Sequence, residues 1–260
     1  VKAAVLGSPI THSLSPVLHR AAYAALDLPW TYDAVEVRSG ELATFLSQLD
    51  EDWRGLSLTM PLKQEVLDYL DVVDSIGKVT GSVNTVLVDQ GRLSGFNTDV
   101  GGMVRALRER GAVGETGSVL GTGATARSAI AAAHELSLHS VSIWGRRESA
   151  VGELGKLAER LGLRWTSSAE PDCNADVVFS TVPAGAVPAT SGAGFLLDAI
   201  YDPWPPPLTM AWDKTRVASG LDLLLHQAVL QVELMTGEQA PIDVMRAALG
   251  TAVSYPHSAS

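Results

Sequence analysis

The chain has 260 residues, 46% hydrophobic and 18% charged, which is enough to bury a large core in one or two domains. Acidic residues exceed basic ones, 29 against 19, for a net charge of −10; nucleic-acid binding calls for the opposite sign, and an anionic ligand must be held by local donors. The single cysteine, Cys173, excludes an intrachain disulfide and a cysteine-based zinc site, and no apolar run reaches the length of a membrane span.

The opening "VKAAVLG" reads as a first strand and is too poor in apolar residues for a signal peptide, so a cytoplasmic location is expected. "THSLSP" leads into the helix "SPVLHRAAYAALDL", with Ser15 expected as N-cap and Pro16 at the first helical position. "TYDAVEV" is a second strand, "GELATFLSQL" a second helix and "GLSLTM" a third strand. After it Leu62, Val66, Leu67 and Leu70 share one face of an expected helix, and Pro61 suits its first position because no N–H is needed there. Lys63 then falls in the first turn, where a cation opposes the helix dipole at a cost of roughly 0.3–1 kcal/mol. A lysine set there, at the end of a buried strand, is a candidate for chemistry.

"VNTVLVD" and "RLSGFN" flank Asp89, Gln90 and Gly91, which predicts a hairpin. "NTDVGGMVRAL" opens a helix at which Asp99 could serve as cap. The polar, glycine-rich "GAVGETG" (111–117) reads as a boundary. A second α/β unit follows: "SVLGTGATARSAIAAAHEL" is a strand, a glycine turn and a helix, and "VSIW", "LRWT", "DVVFSTV" and "FLLDAIY" are further strands, with "SAVGELGKLAERLG" a helix among them. The last two helices, "LDLLLHQAVLQVELMTG" and "PIDVMRAALGTAV", have no strand to serve, and "TAVSYPHSAS" reads as a loose tail. Alternation of this kind specifies α/β architecture with mostly parallel sheets.

"LGTGATA" carries Gly121, Gly123 and Ala126 in the spacing G-x-G-x-x-G/A, after a strand and at the start of a helix. Gly121 permits the tight turn, Gly123 lets a pyrophosphate approach the backbone, and Ala126 allows close helix–strand packing. Where an NAD site presents an acidic residue after the next strand, this chain presents Arg146 and Arg147, which suit the 2′-phosphate of NADP. Ser13 and Ser15, two hydroxyls at the start of a helix, suit a carboxylate. His19, His134, His139 and His226 have no common spacing and read as structural or surface residues, not metal ligands.

Six motifs in order resemble the shikimate dehydrogenase family along essentially the whole chain: Ser13-Leu14-Ser15-Pro16, "LTMPLK" (58–63), "GSVNT" (81–85), "GFNTDVGG" (95–102), "GTGATAR" and "LLLHQA" (223–228). The resemblance implies a substrate-binding domain over residues 1–101, with 224–260 packing back onto it, an NADP-binding Rossmann domain over 102–223, and an active site in the cleft between them. It implies Lys63 and Asp99 as the catalytic pair, Ser13 and Ser15 on the substrate carboxylate, and Thr59, Asn84 and Gln227 on the ring hydroxyls. Tyr201 would lie on the substrate side, and Gly220 near the nicotinamide. Gly121, Gly123, Ala124, Thr125, Ala126, Arg146 and Arg147 would hold the rest of the cofactor. Three departures stand out: Ser57-Leu58-Thr59 replaces Asn-Val-Thr, Gly145-Arg146-Arg147 replaces Asn-Arg-Thr, and Ala124 replaces a second consecutive glycine.

The implied reaction is NADP-dependent reduction of 3-dehydroshikimate to shikimate, on the route to chorismate and the aromatic amino acids. Lys63 would stabilise the charge that grows on the carbonyl oxygen and act as general acid, or as base in reverse. The implied partners are the small-molecule substrate and NADP, with no metal, nucleic acid or membrane, in a monomer or homodimer. Alternatives are a quinate/shikimate dehydrogenase of broader scope, a similar dehydrogenase acting on a folate, and a non-catalytic NADP or metabolite sensor. The double serine favours shikimate, and the presence of both Lys63 and Asp99 disfavours the sensor.

Overall fold

The computed structural model describes residues 1–254, the side chain of Ser254 excepted. The chain forms two compact units: one of Val1–Lys78, Ser82–Thr98 and the chain from Gln227 onward, the other of Val79–Gly81 and Asp99–His226.

The first unit runs β1 (Lys2–Gly7), α1 (Ser15–Ala25), β2 (Thr31–Glu36), α2 (Leu42–Leu46), β3 (Trp53–Leu58), α3 (Leu62–Glu65), β4 (Val72–Val73), α4 (Ser75–Thr80), β5 (Thr85–Asp89) and β6 (Arg92–Phe96). Its sheet has the order β2-β1-β3-β5-β6-β4. Strands β2, β1 and β3 are mutually parallel, while β5 runs antiparallel to both β3 and β6. The predicted hairpin is present: Gln90 (φ 49) and Gly91 (φ 80) both take the left-handed conformation that a tight two-residue turn demands. Leu6, Leu56, Leu58, Leu62, Val66 and Val86 form one apolar cluster over this sheet.

Two helix starts differ from expectation. Leu14, not Ser15, is the N-cap of α1, and Ser15 is its first residue. Pro61 is the N-cap of α3, and the expected long helix is a single α turn followed by a 3-10 turn, Val66–Tyr69. The apolar face is nevertheless used, with Leu62 and Val66 fully buried and Leu67 and Leu70 packed against the same cluster. Leu70 is extended (φ −92, ψ 134), which ends the helix before β4. A helix this short has little accumulated dipole, so Lys63 meets less opposition than a long helix would offer.

Helix α5 (Thr98–Glu109) starts at the division between the units. Then follow β7 (Thr116–Leu120), α6 (Ala124–Glu135), β8 (Ser140–Trp144), α7 (Glu148–Arg160), β9 (Arg164–Ser167), β10 (Val177–Ser180), β11 (Phe195–Asp198), β12 (Val217–Ala218), α8 (Gly220–Thr236) and α9 (Ile242–Ser254). The second sheet is wholly parallel, in the order β12-β11-β10-β7-β8-β9. This is the doubly wound dinucleotide-binding order, with the reversal between β7 and β10.

Residues 111–117, read from sequence as a boundary, lie inside the second unit. The end of α5 and the residue that follows it explain why. Arg110 pairs with Asp222 of α8 at 3.0 Å, Arg108 donates to the Glu135 carbonyl of α6 at 3.3 Å, and Glu109 lies 3.1 Å from His226 Nε2. Helix α9 packs on α1 in the first unit, so the strandless C-terminal segment finds its apolar partner there. It continues to Ser254, so residues 251–254 are helix and not tail; the rest of "TAVSYPHSAS" lies outside the described residues.

Candidate active site

In the first sheet the C-terminal ends of β1, β3 and β6 and the start of the antiparallel β5 all lie at one end. The segments leaving that end carry Ser13 and Ser15 after β1, Thr59 and Lys63 after β3, Thr98 after β6, and Asn84 just before β5. Ligands of α/β sheets collect at this end of the strands. Ser13 Oγ accepts the Ser15 N–H at 3.4 Å, and the buried Ser15 hydroxyl bonds to the Tyr32 phenol. The Thr59 N–H donates to the Leu6 carbonyl at 2.9 Å, which fixes the exit from β3. Lys63 is half-buried, and its carbonyl accepts the Val83 N–H at 2.8 Å.

Asn84 is 2% exposed and its amide is fully oriented. Oδ1 accepts from the Thr98 N–H (2.8 Å), the Thr98 hydroxyl (3.1 Å) and the Thr85 hydroxyl (3.0 Å). Nδ2 donates to Thr98 Oγ1 at 2.9 Å and to Gln227 Oε1 at 3.3 Å. Both ends of the amide are therefore held by neighbours, which fixes the side chain in one orientation. Asn84 and Gln227 are thus brought into contact.

Behind them lies a polar chain that sequence reading missed. Tyr32 OH donates to Ser57 Oγ at 2.6 Å, and Ser57 donates to Gln231 Oε1 at 2.8 Å. Gln231 Nε2 donates in turn to Thr85 Oγ1 at 2.9 Å and to the Asn84 carbonyl at 3.2 Å. His19 Nε2 lies 3.1 Å from the same Gln231 Oε1, and the ring stacks on Tyr32 with centroids 3.9 Å apart. Burial drives the His19 pKa down to about 3, against the hydrogen bond to Gln231, so the ring is neutral and donates from Nε2. One signal for Gln231 was present: it is a polar residue four positions after Gln227 in a largely apolar stretch, hence on the same face.

In the second unit the glycine turn sits at the C-terminal end of β7. Gly121 has φ +117, its N–H donates to the Trp144 carbonyl at 2.8 Å, and an added Cβ would collide with Thr181 Oγ1. Gly123 is the extended N-cap of α6, with no atom within 4 Å of where its Cβ would be. That open space at a helix N-terminus with no side-chain cap fits the diphosphate of a dinucleotide. Ala124 and Thr125 form the first helical turn, half-buried, and Ala126 is fully buried against the sheet. Ala124 opens the helix, and the turn keeps its space at Gly123 despite the missing second glycine. Arg146 and Arg147 are exposed beyond the end of β8, the strand next to β7, with Arg147 the N-cap of α7.

Tyr201 is half-buried just beyond β11. Asp198 ends that strand, and burial pushes its carboxyl up to about 6 against hydrogen bonds from Ile200 and Ser180. Gly220 opens α8 against the Ile200 carbonyl, which leaves no room for a Cβ. Asp99 is 4% exposed in the first turn of α5 and follows Thr98, so it is not the N-cap. Lys63 belongs to the first unit and Asp99 to the second. Of the four histidines singled out above, His19 and His226 are buried, while His134 and His139 are exposed. Cys173 is packed in an apolar cluster of the second unit. Among the described residues no helix is long and apolar enough to cross a membrane.

Residues 5–86 match the family model described as the shikimate dehydrogenase substrate binding domain, and residues 220–249 match the shikimate 5'-dehydrogenase C-terminal domain. A shikimate dehydrogenase (NADP(+)) of Moorella thermoacetica is 33% identical over 97% of this chain and 95% of its own length. The pentafunctional AROM polypeptide of Eremothecium gossypii is 34% identical over 91% of this chain, which spans only 17% of that longer protein. The crystal structure of a Thermus thermophilus shikimate 5-dehydrogenase in complex with NADP(H) and shikimate superposes with a TM-score of 0.82, at 32% identity, covering 97% of this chain and 99% of the other.

Proposed function

The chain belongs to the shikimate dehydrogenase family, and on that premise we propose that it interconverts 3-dehydroshikimate and shikimate with NADP as cofactor, in the biosynthesis of chorismate and the aromatic amino acids. One observation carries the reading: two serines, a threonine, a lysine and an oriented Asn84–Gln227 amide pair stand at one end of the first sheet. These are the donors and acceptors that a carboxylate bearing several ring hydroxyls needs.

Ser13 and Ser15 hold the carboxylate, and Thr59, Asn84, Gln227 and Tyr201 hold the ring hydroxyls. The nicotinamide, when bound, supplies the hydride. Lys63 gives its proton to the substrate oxygen as negative charge grows there, and takes a proton from the hydroxyl in the reverse direction. Asp99 is the second catalytic residue assigned by the motif. Gly121, Gly123, Ala124, Thr125 and Ala126 form the diphosphate turn, Arg146 and Arg147 bind the 2′-phosphate, and Gly220 faces the nicotinamide. The first compact unit is assigned as the substrate domain and the second as the NADP domain. The net charge of −10 supports small-molecule partners over nucleic acid; we assign a cytoplasmic monomer or homodimer with no membrane partner.

The test is turnover of shikimate followed by absorbance of the reduced nicotinamide, with NADP+ and NAD+ in parallel and quinate as control. Fast reduction with shikimate and NADP+ alone is expected. Comparable rates with quinate or NAD+ would move the chain to the broader quinate/shikimate activity, and saturable binding without turnover would make it a sensor.

A further inference from the structure

Residues 79–81 pack with the second unit although the chain on both sides of them belongs to the first. Arg127 is the reason. It is the fourth residue of α6, one turn from the open space at Gly123, and it is half-buried. Its Nε donates to the Thr80 carbonyl. Its Nη2 lies 3.2 Å from where a Cβ on Gly81 would be, and Gly81 has φ +59, a left-handed conformation that favours glycine. Burial lowers the Arg127 pKa, Arg160 adds to that, and Glu153 opposes it.

The chain that Arg127 grips leads directly into the substrate residues. Three positions on from Gly81 is Asn84. Between them the Ser82 carbonyl accepts from Asn97 Nδ2 at 2.9 Å, and the Val83 N–H donates to the carbonyl of Lys63 at 2.8 Å. A shift of Thr80 would therefore reach the main chain of Lys63 and of Asn84. The opposite end of the link is the first turn of α6, where the diphosphate is proposed to sit.

We propose that Arg127 is a positioning residue that couples occupation of the nucleotide turn to the geometry of Lys63 and Asn84, so that cofactor and substrate each change the other's affinity. The proposal rests on the function assigned above for the identity of the two ligands. Coupling of this kind is reciprocal and corresponds to a factor in binding, not to a catalytic contact. Its physical carrier is a continuous run of hydrogen bonds and backbone.

The test uses NADPH with shikimate, a pair that cannot react because both partners are already reduced. Calorimetric titration of shikimate into the full chain, with and without saturating NADPH, should give affinities that differ by about fivefold or more. In Arg127→Met the two affinities should agree within about twofold, and Arg127→Lys should restore part of the difference. Hydrogen exchange supplies a readout that needs no substrate: NADPH should slow exchange in the peptide spanning residues 80–84 in the wild type and not in Arg127→Met. If Arg127→Met does not fold, Gly81→Ala tests the same link, since its Cβ displaces the guanidinium. Wild-type coupling and protection in the folded variant would overturn the proposal, as would their absence from the wild type. NADPH protection of residues 80–84 without any shikimate binding would instead leave the Arg127 link standing and overturn the assigned substrate.

Discussion

His19 offers the sharpest test of the buried polar chain. Its ring is fully buried and neutral, with a pKa near 3 against an ordinary 6.5. The unfolded chain binds a proton at 6.5 and the folded chain does not, so the stability this group contributes is complete above pH 6.5 and is lost as pH falls toward 3. The slope is about 1.4 kcal/mol per pH unit. At pH 5 the wild type has therefore lost about 2 kcal/mol through His19 alone. In His19→Leu that loss cannot occur. The variant gives up the ring stacking on Tyr32 and the contacts to Gln231 and Tyr23, so it starts less stable at pH 7 by about 2 kcal/mol. Gln231 Oε1 keeps its bond from Ser57, which limits the damage. Urea unfolding of both proteins at pH 7, 6 and 5, read by circular dichroism, should show the gap closing as the solution is acidified, with the curves meeting near pH 5. An imidazole resonance of His19 that does not titrate down to pH 4 should accompany it. A gap of constant size across this range, or a ring titrating near 6.5, would refute the assignment of a neutral, desolvated histidine.

Four further outcomes are expected. Lys63→Ala should lower kcat by roughly 100- to 10,000-fold with little change in KM for shikimate, and near-normal turnover would remove its proton-transfer role. Joint replacement of Arg146 and Arg147 by alanine should raise KM for NADP+ by roughly 10- to 100-fold and leave NAD+ nearly unaffected; an equal effect on both cofactors would reduce the two arginines to surface charge. Asp198 has its carboxyl raised from 3.8 to about 6, so its contribution is full below pH 3.8 and lost as pH rises through 6; Asp198→Asn should be more stable than the wild type by up to about 3 kcal/mol at pH 8, with no advantage at pH 3.5 in thermal melts. Gly121→Ala should cost about 1–3 kcal/mol, because φ +117 and the Thr181 hydroxyl both exclude a Cβ, and a melting temperature equal to wild type would contradict the turn geometry.

Local pattern made much of this legible. The glycine turn before α6, the Gln90–Gly91 hairpin and the all-parallel second unit follow from turn chemistry and alternation that span few residues. The apolar face of residues 62–70 was also legible, but not its helix type, because the length of a helix depends on where the chain must turn next, here into β4. Ser15 looked like an N-cap because it precedes a proline; its hydroxyl goes instead to Tyr32, a residue on another element. The partners of Gln231 are farther still: Ser57 is 174 residues away and Thr85 is 146. No periodicity connects positions so distant, and only the folded sheet puts them side by side.

The proposed function asks a chain of net charge −10 to hold a substrate carboxylate and a phosphate-rich cofactor. On the proposed function the donors in the first unit are mostly neutral: serine hydroxyls, a threonine and two amides, with Lys63 a cation among them, and the Asn84 amide is oriented by buried hydrogen bonds. In the second unit the proposed donors are the α6 N-terminus and two exposed arginines. Neutral donors gain their strength from being fixed, because a group already held in place loses little further entropy when a ligand binds. Exposed arginines gain theirs from charge, which reaches several ångströms into solvent and is screened by salt. On that proposal the buried chain from Tyr32 to Asn84 supports the recognition of a small hydroxylated ring, because its polar groups stand where an apolar core would have left Asn84 free to turn over.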